Sequence, residues 1–412
     1  MASATWLRSP ALVKVFGALV AGGYEARVVG GAVRNALLGQ PVRDVDLAIT
    51  ATPEEAMRAV ASAGLAAIPT GIEHGTITVV SNHVPFEVTT LRRDVETFGR
   101  RARVTYTTDW VDDARRRDFT INALYCSADG TIHDPLGGYR DLHARRIRFI
   151  GSAVDRIRED YLRILRFFRF TAEYGDGEPD AEGLAACIRE QAGMDALSGE
   201  RIRAEILKLL IAPRAVPTTA VMARAGVLAR ALGGNPDVGT FTRLAEIEAA
   251  TGRSPDPLLR LAALVSPWAA WETETCIADR LKLSGAERTV LASADTRDTA
   301  LHAASAELLA KAHIYRHGTK AFVAATLLHW ARSGDPADHP QWHARLELAE
   351  RFPPPVLPVS GRDVLALGIT AGPDVGRILA TFEAWWIGAD FPTDPAQSAA
   401  KLCEIAAAKT LN

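Results

Sequence analysis

The sequence predicts an α+β protein, with a mixed α/β first part to about residue 150 and helices alone beyond it. Three observations carry this. β-rich runs at Ala26–Val29, Asp44–Ile49, Thr76–Ser81 and Phe86–Leu91 alternate with helical stretches. From Gly151 the apolar period becomes helical: in "AVDRIREDYLRILRFFRFTAEYG" apolar residues fall at 157, 161, 164, 165 and 168. A chain of 412 residues exceeds the usual size of one domain, so roughly two to four are expected.

Taken in order, Pro10–Gly22 is an apolar stretch interrupted by Lys14 with no cleavage signal after it, so it reads as a helix packed on the core rather than a leader. Ala26–Val29 is a strand, Gly30-Gly31 a turn and Ala32–Leu38 a helix. Asp44–Ile49 reads as a strand. Thr52 followed by Pro53, Glu54 and Glu55 is an N-cap, a first-turn proline and two acids, which start a helix running to about Ala63. Thr76–Ser81 and Phe86–Leu91 are strands joined tightly, so the sheet is at least partly antiparallel. Arg92–Asp109 is charged and alternates poorly, and reads as a mobile loop; Asp118–Tyr125 reads as a helix. "GGNPD" at 233–237 and "RFPPPVLPVSG" at 351–361 break the helical part. The expected divisions are 1–150, 151–212, 213–350 and 351–412.

A net charge of −2 names no partner, but the distribution does. Between Leu91 and Phe170 lie 17 Arg, no Lys and 12 acidic residues. Clustered guanidinium forks grip planar acceptors such as phosphates and bases bidentately. Cys126, Cys187, Cys276 and Cys403 are far apart and form no CxxC pair, which fits a reducing compartment and no structural zinc. His313 and His317 have the spacing of a helical zinc pair, but Ile314 stands where that motif needs Glu, and Gly318 ends the helix. No apolar run is long enough to span a membrane, so a cytoplasmic protein without a membrane partner is expected.

The chemistry is concentrated in "VVGGAVRNALLGQPVRDVDLAIT" at 28–50. Asp44 and Asp46, at i and i+2 of one strand, would share a face about 6–7 Å apart. Mg²⁺ takes one or two carboxylates and completes its shell with water and substrate phosphate. Gly30 and Gly31 let the backbone approach a ligand, and the helix they open offers free N–H groups and a positive dipole end to an anion. Arg34 on its first turn adds a charge. Glycine turn, arginine and D-x-D in this order form a nucleotide-triphosphate site with carboxylates for divalent metal.

This stretch resembles the nucleotidyltransferases of the DNA polymerase β superfamily. "RRDFTINALY" at 116–125, "DPLGGYRDLHARRIRFIG" at 134–151 and "EDYLRILRFFRF" at 159–170 are similar to the ordered motifs of the class II tRNA nucleotidyltransferases, the CCA-adding enzymes, and of the related bacterial poly(A) polymerases. The resemblance covers about Arg27–Leu210 and extends more weakly to "GRDVLALG" and "GPDVGRIL". It implies a nucleotidyltransferase head at 1–150, a helical neck at 151–212 with a base-reading helix, an RNA-binding body at 213–350 and a tail at 351–412. It further implies transfer of C, C and A from CTP and ATP to the 3′ end of tRNA, with Mg²⁺ as cofactor and pyrophosphate as product. Poly(A) addition, addition of C or A alone, and a non-catalytic RNA-binding role are the alternatives.

Residue by residue, the resemblance makes Glu87 of "FEVTTLR" a third catalytic carboxylate beside Asp44 and Asp46. It assigns nucleotide binding to Arg116, Arg117, Asp118 and Asn122, the last two facing the ribose. Asp160, Arg163 and Arg166 become the base readers. Cytosine and adenine each present an amino donor beside a ring acceptor, which an Asp–Arg pair matches; uracil and guanine present the reverse. Taken without its context, Asp160–Arg163 is an ordinary i,i+3 ion pair. Asp141 and Arg146 are implied in coupling nucleotide binding to a small motion. Asn35 stands where the family often has Asp, and is expected to be structural.

Overall fold

The computed structural model describes residues 1, 4–98, 101–265, 277–294, 301–302 and 306–410, the side chains of 94–98, 101–104 and 409–410 excepted. Gly99, in the expected loop, and Cys276 lie outside the described residues. The chain divides into two compact units: 1–235 with 279–282, and 236–278 with 283–412.

The first unit opens with helix α1 (Pro10–Ala21), capped by Ser9 with Pro10 in its first turn. Strand β1 (Ala26–Val29), helix α2 (Gly31–Leu37), strand β2 (Asp46–Ile49) and helix α3 (Pro53–Ser62) follow. The expected start of α3 is realised as a capping box, with Thr52 and Glu55 each accepting the other's backbone N–H. Strands β3 (Ala66–Gly71), β4 (Thr76–Ser81) and β5 (Val84–Thr90) complete one side of a seven-stranded sheet. Its order is β3-β4-β5-β2-β1-β8-β9, where β8 is Tyr125–Cys126 and β9 is Ile132–His133. β2 and β5 run parallel; the other pairs are antiparallel.

Three expectations are corrected here. Arg92–Asp109 contains a two-stranded antiparallel ribbon, β6 (Arg92–Phe98) with β7 (Arg101–Tyr106). Val95, Thr97, Val104, Thr105 and Tyr106 favour extended backbone. A register shift between Asp94 and Glu96 interrupts the alternation that would have revealed it. The strand expected from Asp44 begins only at Asp46. The β1 ladder ends at Val29 opposite Asp46, because at Gly30 the chain leaves the sheet for α2, so residues 44 and 45 have no ladder partner.

The third concerns Asp118–Tyr125, which is no α-helix. After helix α4 (Trp110–Arg115) the chain is extended at Phe119, makes a 3₁₀ turn at Thr120–Asn122 and enters β8. Every side chain from Asp118 to Cys126 is buried, so no polar helix face exists. The backbone is claimed instead by neighbours: Thr120 N–H donates to the Arg148 carbonyl and Ile150 N–H to the Asp118 carbonyl, at 3.1 Å each.

Helices α5 (Gly138–His143), α6 (Ala153–Glu159), α7 (Leu162–Tyr174), α8 (Ala181–Glu190) and α9 (Gly199–Leu210) continue this unit. Phe119 packs on Phe149, Phe167 and Phe170 with ring centroids 4.9–6.4 Å apart, which fixes the 118–125 segment against α7.

The second unit is helical throughout its described residues. Helices at Val238–Ala250, Pro257–Leu264 and Thr319–Ser333 surround buried Phe241, Leu261 and Phe322. Later helices at Pro373–Gly388 and Pro395–Thr410 pack around Phe382, Trp386 and Leu402. His313 and His317 lie near the C-terminus of Glu307–His317, which ends at Gly318 as expected. Among the described residues no helix is long and apolar enough to cross a membrane.

Candidate active site

Sheet register builds one wall of a cavity of about 460 Å³ in the first unit. Val29 pairs with Asp46, so the Gly30 turn lies at the Asp46 end of β2. Leu47 pairs with Val88 in the parallel β2–β5 ladder, which sets Asp46 beside Glu87. Leu47 and Val88 are buried in the core, and alternation sends Asp46 and Glu87 to the opposite, open face. The strand position expected for Glu87 is therefore the one observed. Asp44, just before β2, lines an adjoining cavity together with Asp46.

Burial, Glu87 and Asp44, in that order, push the Asp46 carboxyl above the usual carboxylate range. Asp44, Asp46 and Glu87 accept no side-chain hydrogen bond and form no ion pair among the described residues. Crowded, unsatisfied carboxylates of this kind are what a divalent cation neutralises. Among the described residues no three His, Cys, Asp or Glu side chains converge closely enough to hold a metal by themselves. The carboxylates of Asp44 and Asp46 suit a hard divalent cation that takes the rest of its shell from water and phosphate.

Gly30 caps α2 with φ +70°, a left-handed conformation that glycine adopts without strain. The next wall is cationic. Arg116 and Arg117 follow α4 and are held by Asp113, which is fully buried. Asp113 accepts from Arg116 Nε at 2.7 Å, Arg117 Nη2 at 3.0 Å and the Tyr125 hydroxyl at 2.8 Å. Burial alone would raise its carboxyl, but Arg117 and Arg116 outweigh it and bring it down to about 2. The Arg117 guanidinium reaches the glycine turn: a Cβ on Gly30 would stand 3.8 Å from Nη1. Asp113 was missed in the sequence, although its i,i+3 and i,i+4 spacing to the two arginines was a signal that could have found it.

The third wall is a closed ring of polar contacts. Asn122 Nδ2 donates to Asp118 Oδ1 at 2.9 Å, so the two residues expected on one helix face are brought together by a 3₁₀ turn instead. Asp118 Oδ1 also accepts from Phe119 N–H at 2.8 Å, and Oδ2 from Arg166 at 2.7 Å and 2.6 Å. Burial opposes ionisation of Asp118, but Arg166 and Asn122 outweigh it and hold the carboxyl below its usual range. Arg34 donates to Asn122 Oδ1 at 2.6 Å and to the Tyr174 hydroxyl at 2.7 Å, and Tyr174 donates to Glu173. Arg169 bridges Glu173 and Glu205, and Arg166 lies 3.8 Å from Glu205, closing the ring.

Four of the five Arg34 donors are thus spent on protein, counting its bonds to Asn35 Oδ1. Asn35 also donates to the Pro41 carbonyl, the structural part expected of it. Glu173, Tyr174 and Glu205 were missed in the sequence. Their spacing on α7 and α9 is ordinary helical spacing, and only the packing of the two helices reveals them.

Asp160, Arg163 and Arg166 line the same cavity. Asp160 stands between α6 and α7 rather than on a helix, and caps α6. It does not pair with Arg163. Arg163 donates to Glu159 and to the carbonyls of Arg156 and Arg116, while Asp160 is held by Arg201 of α9 at 2.6 Å. Asp141 is buried under Arg146 and Arg148 and accepts from Thr120 Oγ1 at 2.6 Å, behind the 3₁₀ turn that carries Asn122.

Residues 26–148 match the poly A polymerase head domain family. The chain is 38% identical over 379 residues to the mitochondrial CCA tRNA nucleotidyltransferase 1 of Danio rerio, covering 88% of this chain and 83% of the relative. It is 40% identical over 208 residues, half of each chain, to the CCA-adding enzyme of Geobacillus stearothermophilus. A crystal structure of the Bacillus stearothermophilus CCA-adding enzyme in complex with CTP superposes with a TM-score of 0.75 at 27% identity, over 98% of this chain and 100% of that one. With a relative this similar over most of both chains, the chain belongs to the CCA tRNA nucleotidyltransferase family, as its motifs implied.

Proposed function

We propose that this protein adds C, C and A in turn to the 3′ end of tRNA, taking CTP and ATP and releasing pyrophosphate, without a nucleic-acid template. The observation that carries the reading is the single cavity in which the glycine turn, the Asp46/Glu87 carboxylates and the Asp160/Arg163 pair all open. A polymerase-type reaction centre and a base-reading site thus address one bound nucleotide.

In this reading the N–H groups after Gly30 and the Arg116 and Arg117 guanidiniums bind the triphosphate. The ring through Asp118, Asn122 and Arg166 holds the ribose in place. Asp160 accepts from the cytosine N4 or adenine N6 amino group, and Arg163 donates to the adjacent ring acceptor. Asp44 and Asp46 would hold Mg²⁺, which would supply activation of the attacking hydroxyl and neutralisation of the leaving pyrophosphate. The 3′-oxygen of the RNA forms its bond to the α-phosphorus as the bond to the pyrophosphate oxygen breaks, and the hydroxyl proton is released. Glu87, open beside Asp46, adds the third negative charge of this rim.

Residues 1–150 act as the catalytic head, 151–212 as the neck, and 213–350 and 351–412 as the body and tail that bind tRNA through shape and backbone contacts. Described cysteines Cys126, Cys187 and Cys403 are free thiols, which supports action in the cytoplasm.

The test is extension of a labelled tRNA lacking its CCA end, with Mg²⁺ and CTP, ATP or both. CC with CTP alone and CCA with both are expected. A long tail with ATP alone would reassign the chain to poly(A) addition, a stop at CC to C addition, and binding without extension to a non-catalytic role.

A further inference from the structure

Asp160 is the acceptor of the base-reading pair, and its own segment gives its carboxylate one hydrogen bond, from Leu162 N–H at 3.2 Å. The chain there is extended, with φ −155° and ψ 107°, between two helices. Two outside contacts hold the segment, one of them on Asp160 itself. The ring of Tyr161, the next residue, fills the space over Gly193 in the 3₁₀ turn Gln191–Ala196, where a Cβ would lie 2.0 Å from a ring carbon. Arg201, on the first turn of α9, donates from Nη2 to Asp160 Oδ2 at 2.6 Å, with both side chains largely buried.

The donor and acceptor count shows what this contact does. An ionised carboxylate has about four acceptor directions. Asp160 uses one on Oδ2 for Arg201 and one on Oδ1 for Leu162 N–H at 3.2 Å. One direction on each oxygen is left for a base amino group. Arg163 spends Nη1 on the Arg156 carbonyl and Glu159, and one Nη2–H on the Arg116 carbonyl. Its Nε–H and second Nη2–H have no partner among the described residues. Asp160 and Arg163 are three residues apart, and free of these holds they would close on each other as a fork-to-carboxylate pair. A closed pair offers a base neither its acceptor nor its donors.

We propose that Arg201 is a positioning residue for base selection, holding Asp160 apart from Arg163 so that the two face the base separately. This rests on the reading of Asp160 and Arg163 as the base readers. Cytosine and adenine satisfy the separated groups; uracil and guanine bring a carbonyl oxygen against the carboxylate and a ring N–H against the guanidinium. A site built to pair with hydrogen-bonding groups rejects the mismatched analogue strongly only while those groups stay fixed. With Arg201 removed, phosphate binding and the carboxylate rim remain, and discrimination is what falls.

The test measures kcat/KM for CTP, UTP, ATP and GTP in single-nucleotide extension of tRNA lacking CCA and of tRNA ending in CC. The full-length wild type is compared with R201M, R201K and D160A, each with its melting temperature. R201M is expected to lower the CTP:UTP and ATP:GTP ratios at least tenfold. R201K, a point charge without the planar fork, is expected to recover part of that loss. Wild-type ratios in every folded Arg201 variant, with ratios collapsed in D160A, would overturn the role of Arg201 alone. Wild-type ratios in D160A would overturn the base-reader reading and this proposal with it.

Discussion

Arg34 and Asn122 are 88 residues apart in the chain and meet at 2.6 Å inside it. One belongs to the helix after the glycine turn, the other to the 3₁₀ turn proposed to face the ribose. Arg34 also lies 4.0 Å over the Tyr174 ring of α7, so one guanidinium ties three elements together.

Arg34→Lys keeps the charge and loses the planar fork. Hydrogen bonds to charged groups contribute about 1.5–3 kcal/mol, so R34K is expected to lose about that much stability in urea unfolding. Asn122 then keeps only its bond to Asp118, and preference for ribo- over deoxyribonucleotides is expected to fall. Wild-type stability and sugar preference in R34K would show the ring to be dispensable.

Asp113 carries a pH signature. Its folded carboxyl, at about 2, lies below the ordinary 3.8, so ionised Asp113 stabilises the fold above pH ~4. That contribution is lost as pH falls from about 4 towards 2. A shift of nearly two units corresponds to about 2 kcal/mol. Asp113→Asn is expected to be less stable than wild type by at least about 2 kcal/mol at pH 6, with the gap narrowing below pH 4. A gap constant with pH would mean that the charge on Asp113 is not what holds Arg116 and Arg117.

At the carboxylate rim, stability and function are opposed. Burial and like charge disfavour ionised Asp46 in the metal-free protein. Asp46→Asn is expected to raise the melting temperature without metal and to abolish the rise that Mg²⁺ is expected to give the wild type. Nucleotide transfer is expected to fall by on the order of a thousandfold, since metal stabilisation of several kcal/mol is lost. Equal Mg²⁺ stabilisation of D46N and wild type would remove Asp46 from the metal site.

Much of this site was legible in the sequence because its signals are local. The Thr52 cap, the Gly30 turn and the Asp46 and Glu87 strand positions each depend on a few neighbouring residues. What was not legible depends on partners far along the chain. Asp118–Tyr125 reads as a helix, but its backbone is taken by residues 148 and 150. Asp160 and Arg163 have the spacing of an ion pair, but Arg201 and Glu159 claim them first. Asp44 has the alternation of a strand, but the neighbouring strand has already turned away.

The same substitution at two glycines is expected to have opposite signs. A Cβ on Gly138, at the start of α5, would stand 2.1 Å from the Thr120 carbonyl oxygen, a backbone atom that cannot rotate aside. Thr120 begins the turn that carries Asn122 and is tied to Asp141 by its hydroxyl. Gly138→Ala must therefore push the turn proposed to face the ribose, at a cost of about 3 kcal/mol for a forced backbone shift, and a raised KM for both nucleotides is expected. Gly17, on the exposed face of α1, meets nothing within 4 Å of a Cβ and has an ordinary helical neighbourhood. Gly17→Ala gains helix propensity and is expected to stabilise the protein by up to about 1 kcal/mol, with KM unchanged. Urea unfolding and nucleotide KM on the two variants check both signs; a Gly138→Ala enzyme with wild-type KM would show that the 118–125 turn reaches its position without the close approach of α5.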